Sequence, residues 1–294
     1  MNVIDISSWQ SGMNLKTMFD QNYSLNGVIV KMTQGLSYTN PTAKDWLSWL
    51  MQNNKPFGVY HYLDLYGAEA EARHFVEISK PYIGKGILAI DYEGNTLRQG
   101  AGYLKRCLDE VYRLSGVKPF VYVSQSFIAT QDFGPIVEAG YPLWLAQYAD
   151  MHPVYGFKET PWQKGDTYPW QKYWIHQYSS HGRLTGWGDD LDFNKFYGTA
   201  NDWNHFANDS EAPSSDPQPV LKPADPVVVS EVLMGRYGIG EERVEKLITD
   251  GYNPESVQNK INELYAVAYK IQPLIKSNIQ YSNSIMKIVK GICI

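Results

Sequence analysis

Apolar residues in the first two hundred positions fall into short runs bounded by turn-forming residues, which is the pattern of buried strands. Eight such runs are rich in β-branched and aromatic residues and span 3–7, 27–33, 57–63, 86–93, 119–124, 142–148, 173–179 and 191–196. The spacing of apolar residues is helical in 41–53, 69–80 and 103–114. Alternating strands and helices predict an α/β fold, and eight strands in about 200 residues favour a closed (β/α)8-type barrel. Helical spacing fades after residue 130, so the barrel should be irregular.

The pattern changes beyond residue 208. Five prolines and few apolar residues fall in 209–226, so we interpret 209–225 as an extended linker between a barrel at 1–208 and a second domain. Residues 226–294 form that second domain, which should be small and helical, because glycine-rich turns separate short amphipathic segments in 229–265. Three roles are open for the apolar tail at 266–294: packing on the repeat, contact with a membrane, or self-association of two chains.

Composition and charge exclude several classes of protein. Hydrophobic residues make up 44% of the chain and charged residues 19%, which excludes disorder over most of its length. No apolar run approaches the ~20 residues of a membrane span, so we expect no stable membrane insertion. A net charge of −5 argues against nucleic acid as the main partner. The two cysteines, Cys107 and Cys293, cannot form a disulfide scaffold and lack metal-ligand spacing.

The strand predicted at 86–93 ends in two carboxylates. Four apolar residues precede Asp91 and Glu93, which are separated by one tyrosine and followed by a glycine. Residues i and i+2 of a strand share a face, so both carboxylates should project at the carboxyl end, where parallel barrels place their active sites. Such neighbours cannot both ionise easily, so one can serve as the general acid that glycoside hydrolysis requires. The alternative is an acidic turn that caps the next helix.

Other predicted strands bring acidic and aromatic groups to the same end of the barrel. Asp5 lies between two isoleucines of the first strand, and Asp192 lies in the last one. All nine tryptophans fall between Trp9 and Trp203, and aromatic rings in such numbers either line a sugar-binding groove or fill a large core. We expect a glycan-binding cleft whose substrate contacts are Tyr60, Tyr62, Tyr122, Trp144, Gln147, Tyr148, Gln177 and Tyr178.

Five motifs occur along the chain in a characteristic order: Asp5-Ile-Ser-Ser-Trp-Gln10, Ile90-Asp-Tyr-Glu93, Trp144-Leu-Ala-Gln-Tyr148, Gln177-Tyr178 and Leu191-Asp-Phe-Asn194. Together they resemble glycoside hydrolase family 25, the muramidase-type lysozymes of phage endolysins and bacterial autolysins. The resemblance covers about residues 2–200. It implies an irregular β/α barrel that cleaves the β-1,4 bond between N-acetylmuramic acid and N-acetylglucosamine with retention of configuration. It also implies that no metal or other cofactor is needed.

The resemblance assigns a role to each carboxylate. By it, Glu93 is the acid/base, and Asp91 stabilises the cationic transition state, either directly or through the 2-acetamido group of the substrate. Asp5 and Asp192 complete the acidic floor of the cleft. One position departs from the family pattern, because His176 precedes Gln177 where tryptophan would be commoner, which puts one subsite contact in question.

The second domain carries its own motif residues, which are Gly235, Gly238, Gly240, Arg243, Asp250, Gly251, Tyr252, Val257 and Gln258. They resemble the three-helix cell-wall-binding repeat first known from a pneumococcal phage lysozyme, over 229–265. The resemblance implies binding to the peptidoglycan of Gram-positive walls, with Arg243 and Tyr237 as candidate contacts. Tyr237 stands where tryptophan is usual. A salt bridge from Arg243 to a neighbouring glutamate is an equally good structural role for that side chain.

The sequence therefore predicts a wall-targeted peptidoglycan hydrolase. With no signal peptide expected at the amino terminus, we expect a phage endolysin that stays in the host cytoplasm until a holin releases it to the wall. The alternatives are an exported autolysin of the same chemistry and a barrel that binds wall glycan without cleaving it. A chitinase would carry a longer acidic motif, a zinc amidase would need clustered histidines or cysteines, and Cys107 lies on a helix face that does not suit a peptidase nucleophile.

Overall fold

The computed structural model describes residues 1–163, 165–208, 222–254, 256–258 and 260–264. By its internal contacts the chain divides into two compact units, Met1–Val220 and Leu221–Ile294. Most of the predicted linker and the whole of the predicted tail at 266–294 lie outside the described residues.

One sheet organises the first unit. Its strands in the described residues are β1 (Asn2–Ile6), β2 (Leu25–Gln34), β3 (Tyr38–Thr39), β4 (Phe57–Tyr62), β5 (Ile87–Asp91), β6 (Phe120–Ser124), β7 (Leu143–Ala146), β8 (Val154–Tyr155), β9 (Ile175–Arg183) and β10 (Leu191–Phe196). Eight of them follow the order β1, β2, β4, β5, β6, β7, β9, β10, and β10 pairs back to β1, which closes a barrel. Within this barrel all neighbours are parallel except that β10 runs antiparallel to both β9 and β1. The predicted α/β barrel and its eight strands are confirmed.

Helices cover the early strands more fully than the late ones. The first unit contains α1 (Leu15–Gln21), α2 (Ala43–Gln52), α3 (Ala68–Ser79), α4 (Ala101–Ser115), α5 (Gln125–Ile128), α6 (Gly134–Glu138) and α7 (Ala200–Asn208). Three of these, α2, α3 and α4, match the predicted helices. Described residues between α6 and α7 form no helix, which confirms the predicted irregularity of the later half.

The interior of the barrel and its outer layer are separate apolar cores. Strand residues such as Val3, Ile29 and Phe120 fill the interior, and α7 adds Trp203 and Phe206 to the same cluster. The Trp203 indole nitrogen donates to the backbone carbonyl of Phe57, at the start of β4, over 2.9 Å. The helix α7 therefore closes the amino-terminal end of the barrel, so the polar end of the interior is the one where the parallel strands finish.

The second unit is a small helical core. It contains α8 (Pro226–Leu233) and α9 (Glu241–Thr249), and residues 256–258 and 260–264 are also helical. The Asp225 carboxylate caps α8 by accepting the backbone N–H groups of Val227 and Val228. Seven buried side chains hold these helices together: Val228, Val229, Val232, Tyr237, Leu247, Val257 and Ile261.

Candidate active site

A pocket of about 220 Å³ lies at the carboxyl-terminal end of the barrel strands. All four predicted carboxylates line it, together with five of the predicted substrate contacts: Asp5, Asp91, Glu93, Asp192, Tyr60, Tyr122, Trp144, Tyr148 and Gln177. These residues come from several strands and the segments that follow them, so barrel closure brings together side chains that are far apart in the sequence.

Strand alternation aims the two carboxylates of the Asp-Tyr-Glu motif into the pocket. Asp91 ends β5, and Glu93 keeps an extended backbone (φ −151°), so both point inward while Tyr92 is buried in the outer core. Gly94 follows with φ +61°, and a Cβ atom there would lie 2.7 Å from the Tyr62 hydroxyl oxygen. Glycine at this position therefore permits the sharp exit of the chain beside Glu93.

Asp5 is held by two side-chain amides. The carboxamide nitrogens of Asn194 and Gln177 both donate to Asp5 Oδ2, at 2.7 and 2.9 Å. Asp192 pairs directly with Asp5 across the antiparallel β1–β10 ladder, so these two carboxylates are neighbours on the interior face.

The orientation of both amides is fixed from their other end. The Trp144 indole nitrogen donates to Asn194 Oδ1 over 2.8 Å. The Tyr122 hydroxyl donates to Gln177 Oε1 over 2.8 Å, and the Tyr148 hydroxyl donates to the same oxygen. Because each amide oxygen is already engaged, each amide must present its N–H₂ group to Asp5. Trp144, Tyr122 and Tyr148 thus support a carboxylate as well as lining the pocket.

Burial and mutual repulsion raise the pKa values of the carboxyl groups in the pocket. Burial raises the pKa of Asp5 to about 6, and the hydrogen bonds from Asn194 and Gln177 limit that rise. Burial together with the charges of Asp5 and Glu93 raises the pKa of Asp192 to about 9. The pKa of Asp91 is raised well above its usual range by burial and by Glu93, and burial raises the pKa of Glu93. Asp5 is therefore the aspartate of the pocket best stabilised as an anion.

Lys31 is a cation near this acidic group that the sequence analysis did not identify. A bulge in β2 shifts its register against β4, so that Lys31 pairs with Tyr60 and Gln34 pairs with Tyr62. Both β2 side chains therefore face inward, and the Lys31 ammonium donates to Gln34 Oε1 over 2.7 Å while lying 4.5 Å from the Tyr62 ring centre. Its charge opposes the rise in the pKa of Asp91 and Glu93. A lysine within an apolar strand was the available signal.

Three predicted substrate contacts lie outside this pocket. Tyr178 follows the inward Gln177 and so points outward, where its hydroxyl accepts the backbone N–H of Lys158 and its ring joins the outer core. Tyr62 lies beside the pocket, with the Lys31 ammonium over its ring. Gln147 follows the end of β7, and its backbone carbonyl lies 2.8 Å from His176 Nε2. The prediction of Tyr178 as a residue of this cleft is wrong, because the alternation of side chains along β9 turns it to the outer face.

Two further positions differ from expectation. His176 is fully buried on the outer face of β9 between Tyr173 and Tyr178, so its departure from the family pattern touches no residue of the pocket. Asn194 was not among the predicted site residues, yet it is a direct partner of Asp5. It lies two residues after Asp192 on the same strand face, and that spacing could have identified it.

The predicted wall contacts of the second unit are engaged within that unit. Tyr237 is buried, and its hydroxyl donates to Asp250 over 2.8 Å, so it is a core residue rather than an open binding surface. Arg243 Nε donates to the Gly238 carbonyl over 3.1 Å, and Nη1 lies 3.3 Å from Gln258 Oε1. Arg243 therefore ties the glycine-rich turn to the helical residues beyond 256. In the described residues, no group of three or more His, Cys, Asp or Glu side chains is arranged to hold a metal ion.

Replacing Asp192 with asparagine should stabilise the barrel at neutral pH. A group whose pKa rises from 3.8 to about 9 on folding contributes stability below its unfolded pKa and loses it as the pH rises toward the folded value. The asparagine amide does not ionise and would avoid that loss. We therefore expect the free energy of unfolding to increase by roughly 1–4 kcal/mol at pH 7 and to change little at pH 3. Urea unfolding at both pH values measures this. The exposed Asp189→Asn is the matched control, and an equal gain in both variants would contradict the prediction.

Comparison with known proteins identifies the family. Residues 4–187, more than half of the chain, match the model for glycosyl hydrolases family 25, and residues 227–265 match the CW_7 repeat. The lysozyme of Streptococcus phage Cp-7 is 27% identical over 270 residues, which cover 89% of this chain and 69% of that protein.

Solved structures share the fold of the first unit. A bacterial lysozyme from Streptomyces coelicolor has a TM-score of 0.58 at 19% identity, covering 71% of this chain and 97% of that one. The catalytic domain of endolysin ply40 from Listeria monocytogenes bacteriophage P40 has a TM-score of 0.56 at 24% identity, over 71% of this chain and 97% of its own. The family model matches more than half of the chain, and the barrel brings all four acidic motif residues into one pocket. The chain therefore belongs to glycosyl hydrolases family 25.

Proposed function

We propose that this chain is a retaining N-acetylmuramidase that cleaves the β-1,4 bond between N-acetylmuramic acid and N-acetylglucosamine in Gram-positive peptidoglycan. The observation that carries the proposal is the convergence of Asp5, Asp91, Glu93 and Asp192 in one pocket rimmed by aromatic rings. Four carboxyl groups crowded into one pocket cost folding stability, and a barrel that only binds glycan has no need of them, so their presence argues against a non-catalytic glycan-binding protein.

Glu93 acts as the general acid. Because its pKa is raised, Glu93 stays protonated at pH values closer to neutral. It can then donate this proton to the oxygen of the departing sugar. Lys31 opposes this rise in pKa, which keeps the carboxyl group able to ionise. The resulting carboxylate can then take a proton from the water that completes hydrolysis.

Asp91 acts on the other side of the reaction. Its Oδ1 atom is buried and has no hydrogen-bond partner among the described residues. We assign this oxygen to the N–H of the substrate's 2-acetamido group, whose carbonyl oxygen attacks the anomeric carbon as the glycosidic bond to the departing sugar breaks. Water then opens the cyclic intermediate from the opposite side, and two displacements give retention. The anionic Asp5 stabilises the positive charge that develops at the sugar ring.

Glu93→Gln should abolish lysis of purified Gram-positive walls without unfolding the protein. Glutamine keeps the shape and hydrogen bonding of the side chain but cannot donate the proton, and general acid catalysis contributes roughly 10²–10⁴-fold. Release of reducing ends from walls measures the rate, and thermal unfolding checks the fold. The exposed Glu77→Gln on α3 is the control and should match the parent. A rate for Glu93→Gln within about threefold of the parent would overturn the assignment.

Asn194→Ala should shift the acidic limb of the pH–activity profile to higher pH. The amide lowers the pKa of Asp5, which burial has raised to about 6, so its removal lets that pKa rise further. Catalysis requires ionised Asp5, so on acidification the variant should lose activity at a higher pH than the parent does. At alkaline pH, where Asp5 is ionised in both proteins, the activity of the variant should recover. The exposed Asn204→Ala on α7 should leave the profile unchanged. A uniform loss at every pH would show that Asn194 acts on packing alone.

The second unit is proposed to hold the enzyme on the wall. Support comes from its match to the CW_7 repeat and from the resemblance of its motif residues to a cell-wall-binding repeat. Residues 226–294 carry eight basic and seven acidic side chains, which is too balanced for binding that depends on phosphate charge. Arg243 remains the first candidate contact, since its guanidinium reaches the surface beside the glycine-rich turn.

A chain that ends at Asn208 should keep catalysis and lose wall affinity. All barrel strands and α7 lie before that point, so cleavage of dissolved, uncrosslinked glycan fragments should be retained. Co-sedimentation with purified walls and the rate of lysis of intact cells should both fall, because the wall-binding unit is missing. If the truncated chain sediments as completely as the full chain, the second unit is not a wall-binding domain.

The setting that we propose is host lysis by a phage. The lysozyme of Streptococcus phage Cp-7 aligns with 89% of this chain, including the repeat. In the described residues, no helix has the length and hydrophobicity needed to cross a membrane. We infer that the protein reaches the wall through a separate membrane-permeabilising protein of the holin type. Self-association through the tail at 266–294 stays a hypothesis.

A further inference from the structure

A buried, hydrogen-bonded histidine–glutamate pair on the outer face of the barrel has no part in the reaction described above. His61 follows the inward Tyr60 on β4, and its Nε2 atom lies 3.1 Å from Glu71 Oε2 on α3, with both side chains fully buried. On its other side, His61 Nδ1 lies 2.8 Å from the Thr33 hydroxyl. Burial lowers the pKa of His61, whereas at Glu71 the effect of burial is outweighed by hydrogen bonds, which lower the pKa of that group and favour its carboxylate. Burying a carboxylate costs free energy unless several donors compensate it, so its position needs a structural reason.

That reason is the segment 64–67, which connects β4 to α3. Glu71 accepts the backbone N–H of Asp64 over 2.7 Å on one oxygen and that of Tyr66 over 2.9 Å on the other. The Tyr103 hydroxyl adds a donation to the Asp64 carbonyl and accepts the N–H of Gly67. Three backbone N–H groups and one carbonyl of this short loop are thus tied to buried side chains, so the loop is rigid.

The rigid loop presents its side chains to a second pocket. The pocket has a volume of about 460 Å³ and lies between this loop and the turn from β2 to β3, with Gln34, Tyr38, Asp64 and Tyr66 among its walls. The Tyr66 side chain is 64% exposed although its backbone is fixed. Gly35, at φ +56°, lets the Tyr66 ring approach the opposite turn, since a Cβ there would lie 3.1 Å from that ring.

Tyr62 connects this second pocket to the general acid. Its hydroxyl lies against Gly94, the residue after Glu93, and its ring lies under the Lys31 ammonium. Lys31 is in turn hydrogen-bonded to Gln34, a wall of the second pocket. The second pocket therefore adjoins the catalytic pocket on the side of Glu93, through Gln34, Lys31 and Tyr62.

We propose that this second pocket is a sugar-binding subsite for the glycan strand beyond the sugar that Glu93 releases. The inference rests on the proposed function. The occupant is a pyranose ring of the strand, because an exposed tyrosine face can stack on it while the Asp64 carboxylate and the Gln34 amide bond its hydroxyl and acetamido groups. The volume of about 460 Å³ accommodates such a unit.

The test compares two peptide-free glycans that differ in what they place on the reducing-end side of the cleaved bond. The trisaccharide GlcNAc-MurNAc-GlcNAc leaves one sugar there, whereas the octasaccharide of the same repeat can reach the second pocket. Tyr66→Ala should lower kcat/KM for the octasaccharide about tenfold, through KM, and leave the trisaccharide unchanged. Tyr66→Phe keeps the stacking face and should behave as the parent.

A matched control variant and the activity of the parent protein distinguish a failure of the proposed subsite from a failure of the proposed muramidase activity. Tyr23→Ala removes a tyrosine that is 91% exposed at the opposite end of β2 and should change neither rate. If the parent cleaves neither glycan, the proposed function fails. If Tyr66→Ala slows both glycans equally, or neither, the subsite is wrong. If Tyr66→Ala slows neither peptide-free glycan but slows cleavage of the octasaccharide with its stem peptides attached, the pocket binds the stem peptide and the sugar assignment is overturned.

Discussion

Asp5 accepts two hydrogen bonds from amides whose orientation is itself fixed, and the electrostatics of the whole cleft depend on this contact. Four carboxyl groups on the interior of one barrel cannot all ionise, since burial and mutual repulsion raise their pKa values. The amides favour the anion at one of the four positions. Asp5 can then be ionised while Glu93 is protonated, which is the combination that acid-assisted cleavage of a glycosidic bond requires.

The same geometry explains why aromatic residues crowd this end of the barrel. Trp144, Tyr122 and Tyr148 line the pocket, and each also donates a hydrogen bond to an amide oxygen behind Asp5. Replacing any of them with phenylalanine would weaken the hold on a buried amide, whose oxygen could then turn toward the carboxylate, where the two would repel. Their polar atoms therefore matter as much to the site as their ring faces.

Two buried polar networks flank β4 on opposite faces of the sheet. On the interior face, Tyr60 and Tyr62 lie among the carboxylates and Lys31. On the outer face, His61 and Glu71 hold the loop that forms one wall of the second pocket. The bulge in β2 serves both networks, because it turns Thr33 outward to His61 while it keeps Lys31 and Gln34 inward. A single extra residue in one strand thus arranges groups on both faces.

Short apolar runs and the i, i+2 spacing of Asp91 and Glu93 are local properties, so the eight strands, the barrel and this pair of carboxylates could be predicted from the sequence. Asp5 and Asp192 were predicted from their motifs. The sequence could not show which groups stabilise these four acids. Asn194 and Lys31 became partners of the site only through the antiparallel closure of β10 on β1 and the bulge in β2. Tyr178, which local composition favoured as a contact, was turned outward by strand alternation. Hydrogen bonds such as that from Asn194 to Asp5 join residues 189 positions apart, so they form only when the barrel closes and brings β10 beside β1.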